Sequence, residues 1–204
     1  SLMFDRERVC WDKEVCEKFG IDLAWLPEFV PAGEIIGKVR PDVADEVGLS
    51  RDAVVVSGVH DQIAAALGCG ALKHGDVADG IGSAECLIAP LPENPDYPAM
   101  FKGNICAEPH AVPGRCVALA FTNAAGAALK WYRDNFEPEL RRECEKTGEN
   151  AYAVLNARMS DEPSPLLMLP YLAGTGTPYM DGKATGMIAG LTLASTRMDI
   201  YRAI

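Results

Sequence analysis

The sequence predicts an α/β fold in which a mixed sheet is flanked by helices. The first observation is an apolar, β-branched run at 53–56, followed by a helical pattern from Asp61. Because that run does not alternate with polar residues, we expect a strand buried on both faces of a parallel sheet. The second observation is a series of short strands with Gly and Pro turns between 76 and 121, which indicates a mixed or antiparallel sheet. The third is the apolar helical face of 123–136.

The other elements are predicted from caps, breakers and apolar periodicity. We expect further helices at 12–20, 41–48, 138–146 and 149–159, and a helix start near 195. We expect further strands at 34–39, 166–172 and 187–191, with loops at 90–98 and 174–186. The composition changes near Gly75, which predicts a domain boundary between 1–75 and 76–204.

Composition narrows the class of protein. A formal net charge of -10 over 204 residues argues against nucleic-acid or anionic-membrane partners, and no apolar run is long enough for a membrane span. The 7 cysteines contain no CxxC pair, and the 3 histidines have no metal-ligand spacing. We therefore expect a reduced, cytoplasmic protein without a zinc site or a disulfide framework. The helix start near 195 has no matching stop, which suggests a piece of a longer protein.

The corner between the strand at 53–56 and the next helix is the first candidate site. Ligands of open α/β sheets bind at the carboxyl ends of strands, and Asp61 and Gln62 would point there from the first helical turn. Free backbone N–H groups and the helix dipole would keep the carboxylate ionised. The local pattern alone favours a simpler role for Asp61 as the helix N-cap. His60 is a weaker candidate for a ligand or base.

Two glycine-containing stretches are further candidates. Gly82 and Ser83 lie in a G-x-G-S turn between two apolar runs, where backbone N–H groups and a hydroxyl can approach a phosphate. The alternative is an ordinary hairpin turn. Gly126 lies among small residues at the start of the helix predicted at 123–136, where a ligand or another backbone could approach closely. By itself, that stretch is better explained by helix packing.

These motifs, in this order, closely resemble those of the FGGY carbohydrate kinases, and the resemblance covers nearly the whole chain. The motifs are Gly58-x-x-Asp61-Gln62, Asp79-x-x-Gly82-Ser83, Ala125-Gly126 ahead of Trp131, LPYLAGTGTPYMD at 169–181, and Gly190-Leu191-Thr192 ahead of Thr196-Arg197. The resemblance implies an incomplete ribonuclease H-like, actin-like ATPase fold. Residues 1–75 would end the N-terminal domain and 76–204 would begin the C-terminal domain.

The resemblance also implies an activity and roles for particular residues. ATP with Mg²⁺ would phosphorylate a sugar or polyol, and ADP would be released. Asp61 would be the catalytic base, Gln62 and His60 would contact the sugar, and Gly82 and Ser83 would form the phosphate turn. The implied nucleotide-binding residues further along the chain are Gly126 and Lys130.

Departures from the family pattern define the alternatives. The family's D-x-G-T phosphate motif, most sugar-binding residues and the downstream adenosine motif are absent, so we expect the fragment alone to be inactive. One alternative is a noncatalytic, truncated kinase-like module that acts through binding or oligomerisation. Another is a metal-dependent hydrolase built on His60 and Asp61. The sequence names neither the acceptor nor the oligomeric state, and a homodimer is left open.

Overall fold

The protein is represented by a computed structural model that describes residues 3–5 and 8–204. Ten strands are assigned in this part of the chain: β1 Phe4–Asp5, β2 Cys10–Trp11, β3 Ile35–Lys38, β4 Val54–Val56, β5 Ala78–Ile81, β6 Glu85–Pro90, β7 Cys106–Pro109, β8 Cys116–Thr122, β9 Leu167–Leu169 and β10 Met187–Ala189. The α-helices are α1 Lys13–Lys18, α2 Pro41–Val47, α3 Asp61–Gly68, α4 Tyr97–Lys102, α5 Gly126–Phe136, α6 Pro138–Thr147, α7 Ala151–Arg158 and α8 Arg197–Ala203, with a 3-10 turn at Leu23–Trp25.

The strands form several small sheets, which confirms the predicted α/β class. The pairs β1–β2, β3–β4 and β9–β10 are antiparallel. The largest sheet has the strand order β5-β6-β8-β7. No helix in the described part of the chain is both long enough and apolar enough to cross a membrane.

Contacts divide the chain into two compact units. The first comprises residues 1–78, 88–95 and 107–118. In it, α3 buries Ile63 and Ala66. Both side chains lie on one helical face because they are three residues apart, as the sequence pattern predicts.

The second unit comprises residues 79–87, 96–106 and 119–204, and its core is helical. Helices α5, α6, α7 and α8 contribute a cluster of buried side chains: Tyr132, Leu140, Cys144, Ala151, Leu155 and Tyr201. The Tyr132 ring stacks on Phe136 at a centroid distance of 5.3 Å. The predicted helices over this stretch are confirmed, with boundaries that differ by a few residues.

The prediction for β4 was partly wrong. The strand exists, but it pairs in antiparallel register with β3, and Val54, Val55 and Val56 are 44%, 42% and 47% exposed. An apolar, β-branched run shows only that a strand can be covered on both faces. It does not specify the partner strand, and within the described residues β3 is the only strand that pairs with β4.

Two other boundaries also differ from the predictions. The proline-rich loop predicted at 90–98 is shorter, because α4 begins at Tyr97, where Asp96 Oδ1 accepts a hydrogen bond from the Ala99 amide at 2.9 Å. Proline is tolerated in the first turn of a helix, so Pro98 does not prevent this start. Helix α5 begins at Gly126 rather than at 123, since Ala125 has non-helical backbone angles.

Candidate active site

Asp61 is the first residue of α3 and is not its cap. The N-cap position is occupied by His60, whose side chain makes no capping hydrogen bond. Asp61 Oδ1 accepts a hydrogen bond from the Gln62 amide at 2.8 Å, and 85% of the Asp61 side chain is exposed. The interpretation of Asp61 as the N-cap was therefore wrong. The carboxylate projects from the first helical turn, as the corner pattern predicted, and Gln62 beside it is half-buried.

The His60 imidazole lies between two carboxylates. Its Nε2 is 3.3 Å from Asp61 Oδ1, and its Nδ1 is 3.5 Å from Glu108 Oε2. Glu108, in β7, was not among the predicted site residues. No local motif marks it, because only the packing of a distant strand brings it to His60.

The hairpin that carries Glu108 is anchored to the segment after α3. His110 is buried, its Nδ1 accepts a hydrogen bond from the Val112 amide at 2.8 Å, and its Nε2 lies 3.5 Å from the Ala71 carbonyl oxygen. Since Nδ1 is an acceptor, the ring proton of the neutral form is on Nε2 and can be donated to Ala71. The Arg115 guanidinium donates to the Leu72 carbonyl. These contacts hold β7 in place relative to α3.

The turn predicted to bind phosphate lies between β5 and β6. The Gly82 amide donates to the Ala84 carbonyl at 2.8 Å, which closes the turn, and Ser83 is exposed. The start of α5 packs against it: the Gly126 amide donates to the Gly82 carbonyl at 2.9 Å, and the Ala127 amide donates to the Ser83 carbonyl at 3.1 Å. The turn is thus both a hairpin connection and a rigid platform that presents the Ser83 hydroxyl.

Gly126 is required for this packing. A Cβ at this position would lie 2.6 Å from the Gly82 carbonyl oxygen, a distance that real Cβ atoms do not adopt. The absence of a side chain at Gly126 therefore allows the backbone of the 82–84 turn to pack closely. The sequence had allowed for either a ligand or another backbone at this position. Lys130, one turn further along α5, is exposed.

The glycine-rich loop is attached to the end of β8. The Thr177 amide donates to the Phe121 carbonyl at 2.9 Å, and a Cβ on Gly176 would lie 1.9 Å from that same oxygen. Asn123 Nδ2 donates to the Ala173 carbonyl at 3.1 Å. Asn123 and Gly176 thus have structural roles that we did not predict, although Gly176 lies in the 169–181 motif and Asn123 begins the helix predicted at 123–136. These roles become apparent only in the structure, where the glycine-rich loop packs against the end of β8.

The predicted site residues fall into two groups. His60, Asp61 and Gln62 are together in the first unit, and Gly82, Ser83, Gly126 and Lys130 are together in the second. Among the described residues, no group of three or more His, Cys, Asp or Glu side chains is arranged to hold a metal ion. The first group presents the exposed carboxylate of Asp61. The second group presents the Ser83 hydroxyl on a turn that packs against Gly126.

Comparison with known proteins identifies the class to which this fold and these residues belong. The profile for "FGGY family of carbohydrate kinases, N-terminal domain" matches residues 1–68, and that for the C-terminal domain matches residues 81–204. The chain therefore belongs to the FGGY family of carbohydrate kinases. The resemblance inferred from the motifs is confirmed.

Individual relatives match over the whole chain or nearly all of it. A xylulose kinase of Lactococcus lactis is 30% identical over 204 residues, which are 100% of this chain and 38% of that protein. A gluconokinase of Bacillus subtilis is 28% identical over 98% of this chain and 39% of its own length. The crystal structure of xylulose kinase from Rhodospirillum rubrum superposes with a TM-score of 0.73 at 26% identity, over 98% of this chain and 38% of that one. The actin-like ATPase fold is thereby confirmed, and the chain spans about two fifths of the length of these relatives.

Proposed function

We propose that this chain is a segment of an ATP-dependent kinase that transfers the γ-phosphate of ATP to a hydroxyl of a sugar or polyol. The proposal is supported by membership of the FGGY family and by relatives named xylulose kinase, gluconokinase and glycerol kinase. The observation that carries it is the exposed Asp61 carboxylate at the start of α3.

Asp61 is the general base in this proposal. Its Oδ1 is occupied by the Gln62 amide and His60, whereas its Oδ2 has no hydrogen-bond partner in the described part of the chain. Oδ2 can therefore accept the proton of the acceptor hydroxyl as the oxygen of that hydroxyl attacks the γ-phosphorus. The bond from the γ-phosphorus to the bridging oxygen breaks, and ADP leaves. Gln62 and His60 flank the carboxylate and contact the acceptor.

The second group of residues binds the nucleotide. Gly82 and Ser83 contact phosphate oxygens through the turn and the Ser83 hydroxyl, and Gly126 and Lys130 lie beside the nucleotide. Mg²⁺ enters as the MgATP substrate and neutralises phosphate charge during transfer. Phosphoryl transfer depends mainly on positioning and electrostatics, which suits a turn whose carbonyls are already fixed by α5.

We also propose that the domain boundary lies near Gly75. Residues 1–75 then end the N-terminal domain, and 76–204 begin the C-terminal one. The ranges of the two family profiles, which leave residues 69–80 unmatched, support this position. Since the chain spans only 38% of the Lactococcus relative, we expect the 204-residue chain alone to show no sugar phosphorylation.

The proposal is tested on the protein encoded by the complete reading frame that contains this chain. ATP consumption is measured by coupled ADP detection with a panel of acceptors that includes xylulose, gluconate and glycerol, and acceptor phosphorylation is checked by mass spectrometry. We expect ADP formation that depends on one class of acceptor. A folded protein that binds neither ATP nor any acceptor would contradict the proposal and favour the noncatalytic module.

A further inference from the structure

We propose that Glu108 is a positioning residue for the catalytic base and acts through His60. This inference rests on the proposed function, because it takes Asp61 to be the base. It adds Glu108, which belongs to none of the motifs, to the residues that determine turnover. The carboxylates of Glu108 and Asp61 lie on opposite sides of one imidazole ring, at 3.5 Å and 3.3 Å.

Asp61 needs such support because of its position. A side chain that is 85% exposed has little packing to hold it in one productive rotamer. The Gln62 amide holds only Oδ1. A second contact to Oδ1 comes from His60 Nε2, which can donate to it when both ring nitrogens carry a proton, and this contact restricts rotation of the carboxylate. Correct orientation of a reacting group accounts for a large part of catalysis.

His60 can restrain Asp61 only if its own ring is fixed. The two nitrogens of an imidazole are distinct, and the partner of one determines the direction of the other. Glu108 Oε2 is the partner of Nδ1, and the Glu108 side chain is only 28% exposed. Because β7 is anchored through His110 and Arg115 to the segment after α3, this acceptor is fixed relative to the helix that carries Asp61.

The alternative is an incidental surface ion pair. Exposed pairs contribute little to stability, and an incidental one would leave the rate of phosphoryl transfer unchanged. The two interpretations are distinguished by kinetics, and measurements of stability alone would not separate them.

The first test compares variants of Glu108 in the complete protein. We expect Glu108→Ala to lower kcat about tenfold, since a misplaced catalytic group loses rate, and to leave KM for ATP unchanged. Glu108→Gln should recover most of this loss, because its amide oxygen can still accept a hydrogen bond from Nδ1. Glu93→Ala, an exposed glutamate of the same unit, is the matched control. If the alanine variant does not fold, Glu108→Met, which preserves side-chain length, replaces it.

The second test is a double-mutant cycle with His60→Ala. If Glu108 acts through His60, removing Glu108 from the His60→Ala variant should lower kcat no further. Additive losses, or a kcat of Glu108→Ala equal to that of Glu93→Ala, would overturn the inference. Asp61→Asn is measured in parallel: turnover by that variant would refute the base itself, whereas an inactive Asp61→Asn with additive Glu108 and His60 effects would refute only this inference.

Discussion

At the scale of single residues, Gly126 shows how a missing side chain can shape the turn that we propose to bind the nucleotide. The start of α5 reaches the 82–84 turn only because no Cβ stands between them. The backbone hydrogen bonds from 125–127 then fix the carbonyls of that turn. We therefore attribute the importance of Gly126 to the geometry of the turn.

Gly126→Ala tests this role. The new Cβ would lie 2.6 Å from the Gly82 carbonyl oxygen, so the turn or the helix must shift. We expect KM for ATP to rise about tenfold, with a smaller change in KM for the acceptor, because uniform binding of the nucleotide is lost. Gly37→Ala, where a Cβ meets open space, is the control. Equal KM values for ATP in the two variants would contradict the role.

Some site residues could be predicted from the sequence, and others could not. Asp61, Gln62 and Ser83 lie in short motifs where the residue type and a nearby glycine or strand end suggest chemistry. Glu108 and Asn123 make contacts with residues far away in the sequence. A sequence pattern carries no signal for such contacts until the strands are placed.

At the scale of elements, polar contacts beside the helical core join α8 to the junction of α5 and α6. The Tyr132 hydroxyl donates to the Arg197 carbonyl at 2.9 Å, and Arg197 Nη1 donates to the Phe136 carbonyl at 2.9 Å. Arg197 Nη1 also lies 3.6 Å from Glu137 Oε2. Burial, together with the negative charge of Glu137, raises the pKa of Tyr132 to about 12.

This raised pKa predicts a loss of stability at alkaline pH. An unfolded tyrosine releases its proton near pH ~10, whereas folded Tyr132 keeps it to about 12. The folded state keeps this proton more tightly than the unfolded state. The stabilisation from protonated Tyr132 is therefore complete below about pH 10 and declines as pH rises toward 12. In denaturant unfolding across this pH range, the free energy of unfolding should decline less for Tyr132→Phe than for the wild type. Tyr179→Phe, at an exposed site, should behave like the wild type, and identical slopes for all three would contradict the assignment.

The elements themselves were mostly predictable, but their partners were less so. Capping signals correctly placed helices such as α8, where Thr196 and Asp199 form a capping box. The apolar run of β4 correctly predicted a strand, yet suggested a parallel, buried one. Periodicity and caps are local properties, whereas strand pairing depends on chain segments far apart.

At the scale of the whole molecule, the chain exposes many large apolar side chains and spans 38% of the length of its Lactococcus relative. Large apolar side chains such as Ile35, Leu167 and Leu193 are exposed at 65%, 78% and 109%. Extensive exposed apolar surface marks interaction sites in soluble proteins. We propose that in the complete kinase part of this apolar surface is covered by segments that correspond to the rest of the relatives' length.

The most direct measurement for the central claim is turnover of the complete protein with Asp61 replaced by asparagine. We predict that Asp61→Asn lowers kcat for acceptor phosphorylation at least about a hundredfold, as expected for loss of a general base. ADP affinity, measured by calorimetry, should be unchanged, because Asp61 is not among the residues that we propose to bind the nucleotide. The control is Asp161→Asn, which makes the same change of charge at an exposed position in the linker after α7. Near-normal turnover by Asp61→Asn would contradict the account.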